Sequence, residues 1–280
     1  MADRMVGIGV IEAELDISKM IELSGSWKIW ISGNDVTPIF DIVDYARQFL
    51  ADRVHENDSD VSYRDVAEAV RKGYEKKRME EAESLFLTPI GWSTSTFVAS
   101  GHLLPDYERL KASIADHVLS VEIMITGFSK DVGYIFSLSG DGPQKGIVQR
   151  HDIPGFHAIG SGSYGALYML YYREMSYRME PREAAYYVME AKLFGEQAGG
   201  VGEGTDMYVA TNDGGFTKLN EDTTVEDRFV KVWYKLRPRW FGKESIELLN
   251  SIPEFKQFAK IKVRKRSRRT KKTGINSEGN

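Results

Sequence analysis

The chain has 280 residues, 42% of them hydrophobic, and a formal net charge of −4. That is enough apolar material for one large domain or two small ones, and it excludes disordered, collagen-like and mini-protein classes. Cysteine is absent, which excludes disulfide staples, a thiolate nucleophile and a Cys-type zinc centre.

No apolar run reaches the roughly 18 residues of a membrane span. The opening Met1-Ala2-Asp3-Arg4 also lacks the basic-then-apolar order of a signal peptide. The expectation is a soluble, cytoplasmic protein with no membrane contact. Charge is unevenly spread, because nine Lys and Arg fall within Lys260 to Lys272. Residues 256–280 carry +9, leaving −13 on residues 1–255. Such a block repels itself and reads as a disordered tail, able to touch nucleic acid nonspecifically or to fold back on the acidic body.

In chain order, Lys28 to Ser32 reads as a short strand, and Gly33-Asn34-Asp35 turns into a periodic helix over Pro38 to Val54, capped by Asp35 or Thr37. Ser62-Tyr63-Arg64-Asp65 has the form of a capping box that opens a helix through Val66, Ala69 and Val70. Polar residues dominate after Arg71, Thr88 to His102 reads as irregular, and Asp106 to Val118 reads as helix; residues 72–118 together read as an insertion.

A hairpin follows, Val121 to Ile125 against Gly133 to Ser137 around Ser129-Lys130-Asp131. Phe156 to Ile159 then enters Gly160-Ser161-Gly162 and a helix to about Met179, and Glu180-Pro181 starts another. Tyr168, Tyr171 and Tyr172 are expected in the core of the first of these, because aromatic residues at that spacing usually pack. Met207 to Ala210 is a strand, Asn212-Asp213-Gly214 a turn, and Val225, Phe229, Val232, Trp233 and Leu236 keep a helical period. Hairpins beside paired helices favour an α+β fold of antiparallel sheets covered by helix pairs over βαβ repeats.

Three groups of residues bear on chemistry. Gly160-Ser161-Gly162-Ser163-Tyr164-Gly165 fits G-x-G-x-x-G, but a second helix at Pro181 follows where a Rossmann unit returns to a strand. The plainer reading is a sharp turn into a closely packed helix capped by Ser161 or Ser163. His151-Asp152 and His157 offer two imidazoles and a carboxylate without a fourth ligand. Asp3, Lys19 and Gly33 form the third group, with Lys19 entering one strand and Gly33 ending another.

With Ala2-Asp3-Arg4, Lys19 before an apolar strand, Ile31-Ser32-Gly33 before a helix, and Ala158-Ile159-Gly160-Ser161-Gly162 before a long helix, the chain resembles the proteasome β-subunit family. It is equally similar to that family's bacterial relative, the peptidase subunit of an ATP-dependent two-component protease. Both are N-terminal-nucleophile hydrolases. The Ser137 to Gly142 turn and the Gly199-Gly200 loop fit as well, so the resemblance spans roughly residues 1–70 and 119–217.

The resemblance implies a four-layer αββα sandwich in residues 1–220, a helical extension at 221–255 and the basic tail beyond it. It implies threonine-type hydrolysis of a polypeptide substrate without cofactor or metal, in a homo-oligomeric ring with a possible ATPase partner. Lys19 would lower the nucleophile's proton affinity, Asp3 would balance Lys19, the Gly33 N–H would form the oxyanion hole, and Ser161 would support the N-terminal amine.

In the family the threonine lies roughly a dozen residues before the aspartate and is its own base, whereas this sequence starts two residues before Asp3. The expectation is therefore a longer natural chain with that threonine and the family's first strand, or else a non-catalytic interaction or assembly protein. The third reading is a nucleic-acid-associated protein acting through its tail. Gly195 to Gly200 departs further from the family. Glu196 stands where an aspartate is usual, and Ala198 where a serine would hydrogen-bond the amine.

Overall fold

The computed structural model describes residues 2–3, 5–8, 11–14, 19–33, 36–53, 61–141, 145–199, 201–202, 204–211, 215–219, 223–236, 247, 249 and 251. The basic tail, the Asn34-Asp35 and Asn212-Asp213-Gly214 turns and Gly200 lie outside the described residues. The protein is α+β. Its largest sheet is a five-stranded antiparallel meander in chain order, made of β4 (Met20–Ser24), β5 (Trp27–Gly33), β6 (Val121–Ser129), β7 (Val132–Ser139) and β8 (Val148–Arg150).

The hairpin arm expected at Val121 to Ile125 is β6, and it alternates with a period of two: Val121, Ile123 and Ile125 are buried, while Glu122, Met124 and Thr126 alternate with them. The β6–β7 turn needs only Lys130 and Asp131. Both have positive φ, 51° and 63°, as a two-residue turn matched to the strand twist requires.

On one face of this sheet lie α1 (Thr37–Ala51) and α2 (Tyr63–Ala82). Their Ile39, Ile42, Val43, Val66, Ala69 and Val70 close a core over Trp27, Ile29, Ile31, Phe136 and Leu138. Each of the larger aliphatic side chains contributes about 1.5–3 kcal/mol on burial. The two helices approach at Gly73, where any Cβ would collide with the Ile42 carbonyl oxygen.

The opposite face carries Lys28 and Trp30. Trp30 donates to the Thr126 hydroxyl (2.8 Å) and meets Tyr208 edge-on at 5.5 Å, and Lys28 sits over the Phe216 ring. Tyr208 and Phe216 belong to the pair β10 (Tyr208–Ala210) and β11 (Phe216–Lys218). Two further strand pairs involve the N-terminal residues. β1 (Ala2–Asp3) pairs with β9 (Thr205–Asp206), and β2 (Met5–Ile8) with β3 (Ile11–Glu14).

A second core joins α5 (Ser163–Tyr172), α6 (Pro181–Gly195) and α7 (Thr223–Leu236) through Phe156, Leu170, Tyr186, Met189, Phe229 and Val232. Among the described residues no helix is long and apolar enough to cross a membrane.

Several local expectations need correction. The tyrosines of α5 are not core: Tyr168 is 78% exposed, and Tyr164, Tyr171 and Tyr172 are exposed too, because only the side around Leu170 meets α6. That helix stops at Tyr172 rather than near Met179. Its N-cap is Gly162 and no side chain caps it, so neither Ser161 nor Ser163 does so. The close packing expected there is found: a Cβ on Gly162 would press on the Gly195 carbonyl oxygen at 2.8 Å.

The N-cap position of α1 is Val36, whose side chain makes no capping bond, with Pro38 in the first turn, and Asp35 lies outside the described residues. Ser62 does cap α2 by accepting from the Asp65 N–H. That helix continues unbroken past Arg71 to Ala82. The stretch expected to be irregular contains α3 (Thr94–Ser100), opened by a capping box between Ser93 and Thr96, and α4 (Tyr107–Asp116) follows.

Candidate functional site

One end of the five-stranded sheet gathers most of the residues singled out by sequence. Lys19 immediately precedes β4, and its carbonyl accepts the Ile31 N–H at 3.1 Å. Two residues on, Gly33 ends β5 opposite Val121, and Ser32 lies opposite Glu122. Glu122 reaches out of the sheet, and its carboxylate accepts the Gly160 N–H at 2.6 Å. Gly160 has φ +88°, and a Cβ there would come within 2.7 Å of the Ser32 hydroxyl. Glycine is therefore required twice over, for the backbone conformation and for the approach. Ser161 follows directly and is exposed.

The N-terminus of α5 and the C-terminus of α6 meet at the same corner. Gly162 and Gly195 are in contact range, and the Ala198 N–H returns to the Gly195 carbonyl at 3.0 Å. Glu196 forms an ion pair with Lys192 one turn earlier in the helix, both largely buried. The corner thus joins a strand-end glycine, a glycine–serine loop held by a carboxylate, and a helix end. Backbone N–H groups presented at strand and loop ends are the kind of donor that stabilises a developing oxyanion.

Asp3 is placed differently. It lies in β1, paired with Thr205 of β9, and its side chain is outside the described residues. Sequence alone assigns no role to Glu122, and it shows Ser32 only as the middle residue of Ile31-Ser32-Gly33. Their signal is slight: a glutamate in the otherwise apolar run Val121 to Ile125, and a serine before Gly33. Only the β5–β6 register sets them side by side.

The histidine group forms a different structure from a ligand cluster. His151 and His157 stack face to face, with ring centroids 3.6 Å apart and planes within 4°. The Ser137 hydroxyl lies 2.8 Å from His151 Nε2. Asp152 is committed to Arg150 through two bonds, at 3.0 and 2.7 Å. Burial lowers the pKa of both histidines, that of His157 to about 4, helped by its neighbour His151. Asp152 partly counters the shift on His151. Parallel stacked rings do not aim two lone pairs at one ion. Among the described residues no three His, Asp or Glu are grouped to hold a metal ion.

No family model matches the chain, and no curated protein matches it. A solved structure of a mutant of Anbu from Hyphomicrobium sp. strain MC1 is similar, with a TM-score of 0.54. The match covers 93% of this chain and 91% of that one, at 13% sequence identity. At that identity the likeness concerns the fold alone.

Proposed function

We propose that this protein is a proteasome-like hydrolase of the N-terminal-nucleophile type, a threonine peptidase acting on polypeptides. The observation that carries this reading is the single corner formed by Lys19, Ser32-Gly33, Glu122 and Gly160-Ser161. The resemblance in fold to Anbu, a proteasome-like protein, supports the same reading.

In this proposal the sheets and helix layers form a four-layer αββα sandwich over residues 1–220, interrupted at 72–118. The nucleophile in this reading is an N-terminal threonine, whose own amine takes the hydroxyl proton as it attacks an amide carbon. Lys19 supplies the positive field that favours the deprotonated hydroxyl, and Asp3 balances that charge. The Gly33 N–H receives the oxyanion, and Ser161 orients the amine. Copies of the chain assemble together, and the exposed tyrosines of α5 are surface suited to such contacts.

The test begins with N-terminal sequencing and intact mass of the protein from its own source, followed by hydrolysis of a fluorogenic peptide. A mature chain that begins with threonine is expected. In it, Lys19→Ala should lower kcat/KM by roughly a hundredfold or more, the scale of a lost proton-transfer aid. Unchanged hydrolysis in Lys19→Ala overturns the proposal.

One observation favours a second reading, a non-catalytic interaction or assembly subunit. Ala198 sits at the same corner, its N–H on the Gly195 carbonyl, and its methyl group offers the amine no hydrogen bond. A mature chain without an N-terminal threonine that still self-assembles would decide for this second reading.

A further inference from the structure

The edge strand β8 and helix α2 border a groove of about 610 Å³ on the far side of the sheet from the β4 edge. Among the described residues no strand pairs with the outer edge of β8. The ladder register fixes which backbone groups that edge offers. The His151 N–H donates to the Ile135 carbonyl at 2.7 Å, and Gln149 lies opposite Ser137. Hydrogen-bonded pairs alternate in an antiparallel ladder, so Gln149 spends its backbone bonds on β7 while the N–H and C=O of Val148 and Arg150 point outward. Both of those residues line the groove.

The walls have a definite charge. Arg64, Arg71 and Arg78 recur every seven residues down one face of α2, with Lys145 and Arg150 across from them. Of the residues lining the groove, Glu68 and Glu75 are the acidic ones, and both are engaged by Arg71. Arg150 is held by Asp152 and lies over the Tyr63 and Tyr134 rings. Arg64 donates to the Tyr63 hydroxyl. Lys145 is exposed and has no ion-pair partner among the described residues, and next to it Ile147 is 54% exposed. Backbone donors and acceptors along an edge, an apolar side chain and surplus positive charge are what an added strand with acidic side chains satisfies.

We propose that this groove binds an extended acidic peptide segment, which adds to β8 as a sixth strand with its carboxylates toward Arg64 and Lys145. The site stands apart from the hydrolase corner, so this proposal holds or fails independently of the function proposed above.

The test is fluorescence polarisation with the full chain and a fluorescein-labelled octapeptide of alternating valine and glutamate. The controls are the valine–lysine peptide of the same length and the acidic peptide N-methylated at alternate residues. Saturable binding of the acidic peptide is expected, with the lysine peptide and the Lys145→Glu variant each weaker by about tenfold or more. Val148→Pro removes an outward N–H without touching the β7 ladder, a change tolerated on edge strands, and should also abolish binding. N-methylation on the residues that face β8 should do the same from the peptide's side, whatever the proline does to folding.

Absence of saturable binding overturns the proposal, as does equal binding of the lysine peptide. Acidic-peptide binding that survives both Val148→Pro and N-methylation in either phase shows anion attraction without strand addition, and equally overturns it.

Discussion

The two cores of this molecule are built on different principles. The first, under α1 and α2, is aliphatic and aromatic, and its few polar atoms reach out to backbone: Trp27 Nε1 to the Val61 carbonyl and the Tyr74 hydroxyl to the Gly140 carbonyl. The second, among α5, α6 and α7, is organised around an ion pair. Arg173 and Glu190 are 5% and 2% exposed and are joined by two bonds of 2.7 Å. Trp233 on α7 adds a third bond to the same carboxylate, at 3.1 Å. The first core is held by shape and the second by charges that must be paired, so they should fail in different ways.

The largest expected effect is in the second core. Arg173→Met leaves the Glu190 carboxylate buried and uncompensated, which should cost about 3–5 kcal/mol, whereas adding Glu190→Leu should restore much of that loss. Urea unfolding of the single and double variants measures both quantities. Equal stabilities of the two variants would remove the charge-pairing distinction between the cores.

A smaller cost is expected where shape alone decides. Gly73→Ala forces a methyl group against the Ile42 carbonyl oxygen and pushes α1 off α2, which should cost about 1–3 kcal/mol. Substituting alanine at Gly25, whose added Cβ meets nothing, tests strain from its positive φ without crowding, and comparing the two unfolding midpoints isolates the steric part.

The smallest effect at neutral pH comes from the His151–His157 stack, because both rings are neutral there. Their folded pKa values are lowered, that of His157 to about 4 against an ordinary 6.5. The unfolded chain therefore takes up protons first as pH falls. Stability should decline progressively from about pH 6.5 to about pH 4. Thermal melting across that range in His157→Phe should show a shallower slope. An identical slope would remove the stack as a source of acid sensitivity.

Where one face of an element is buried and the other is not, the sequence was readable. The alternation in β6, the period of α7 and the hairpin at Lys130-Asp131 all follow from residue spacing. Helix α5 was misread because Tyr, Leu and Met surround it on all sides, so no spacing distinguishes the Leu170 side, which is buried, from the tyrosine side, which is not. In α3 the Ser/Thr run that suggested a loop is itself the capping box that starts a helix. At the candidate site, Lys19, Gly33 and Ser161 were visible as small motifs. The Glu122 carboxylate on the Gly160 N–H was not, since it depends on a strand register between distant segments.

That register also governs how the sheet can be assembled. The hairpins β4–β5 and β6–β7 each close over a few residues and can zip independently. Their common seam, β5 against β6, joins Gly33 to Val121 and so encloses α1, α2, α3 and α4 in one loop. Closing so long a loop costs entropy before any seam bond repays it. The β5–β6 seam, the same one that brings Ser32 and Gly33 to Glu122, is therefore expected to be the slow step of folding.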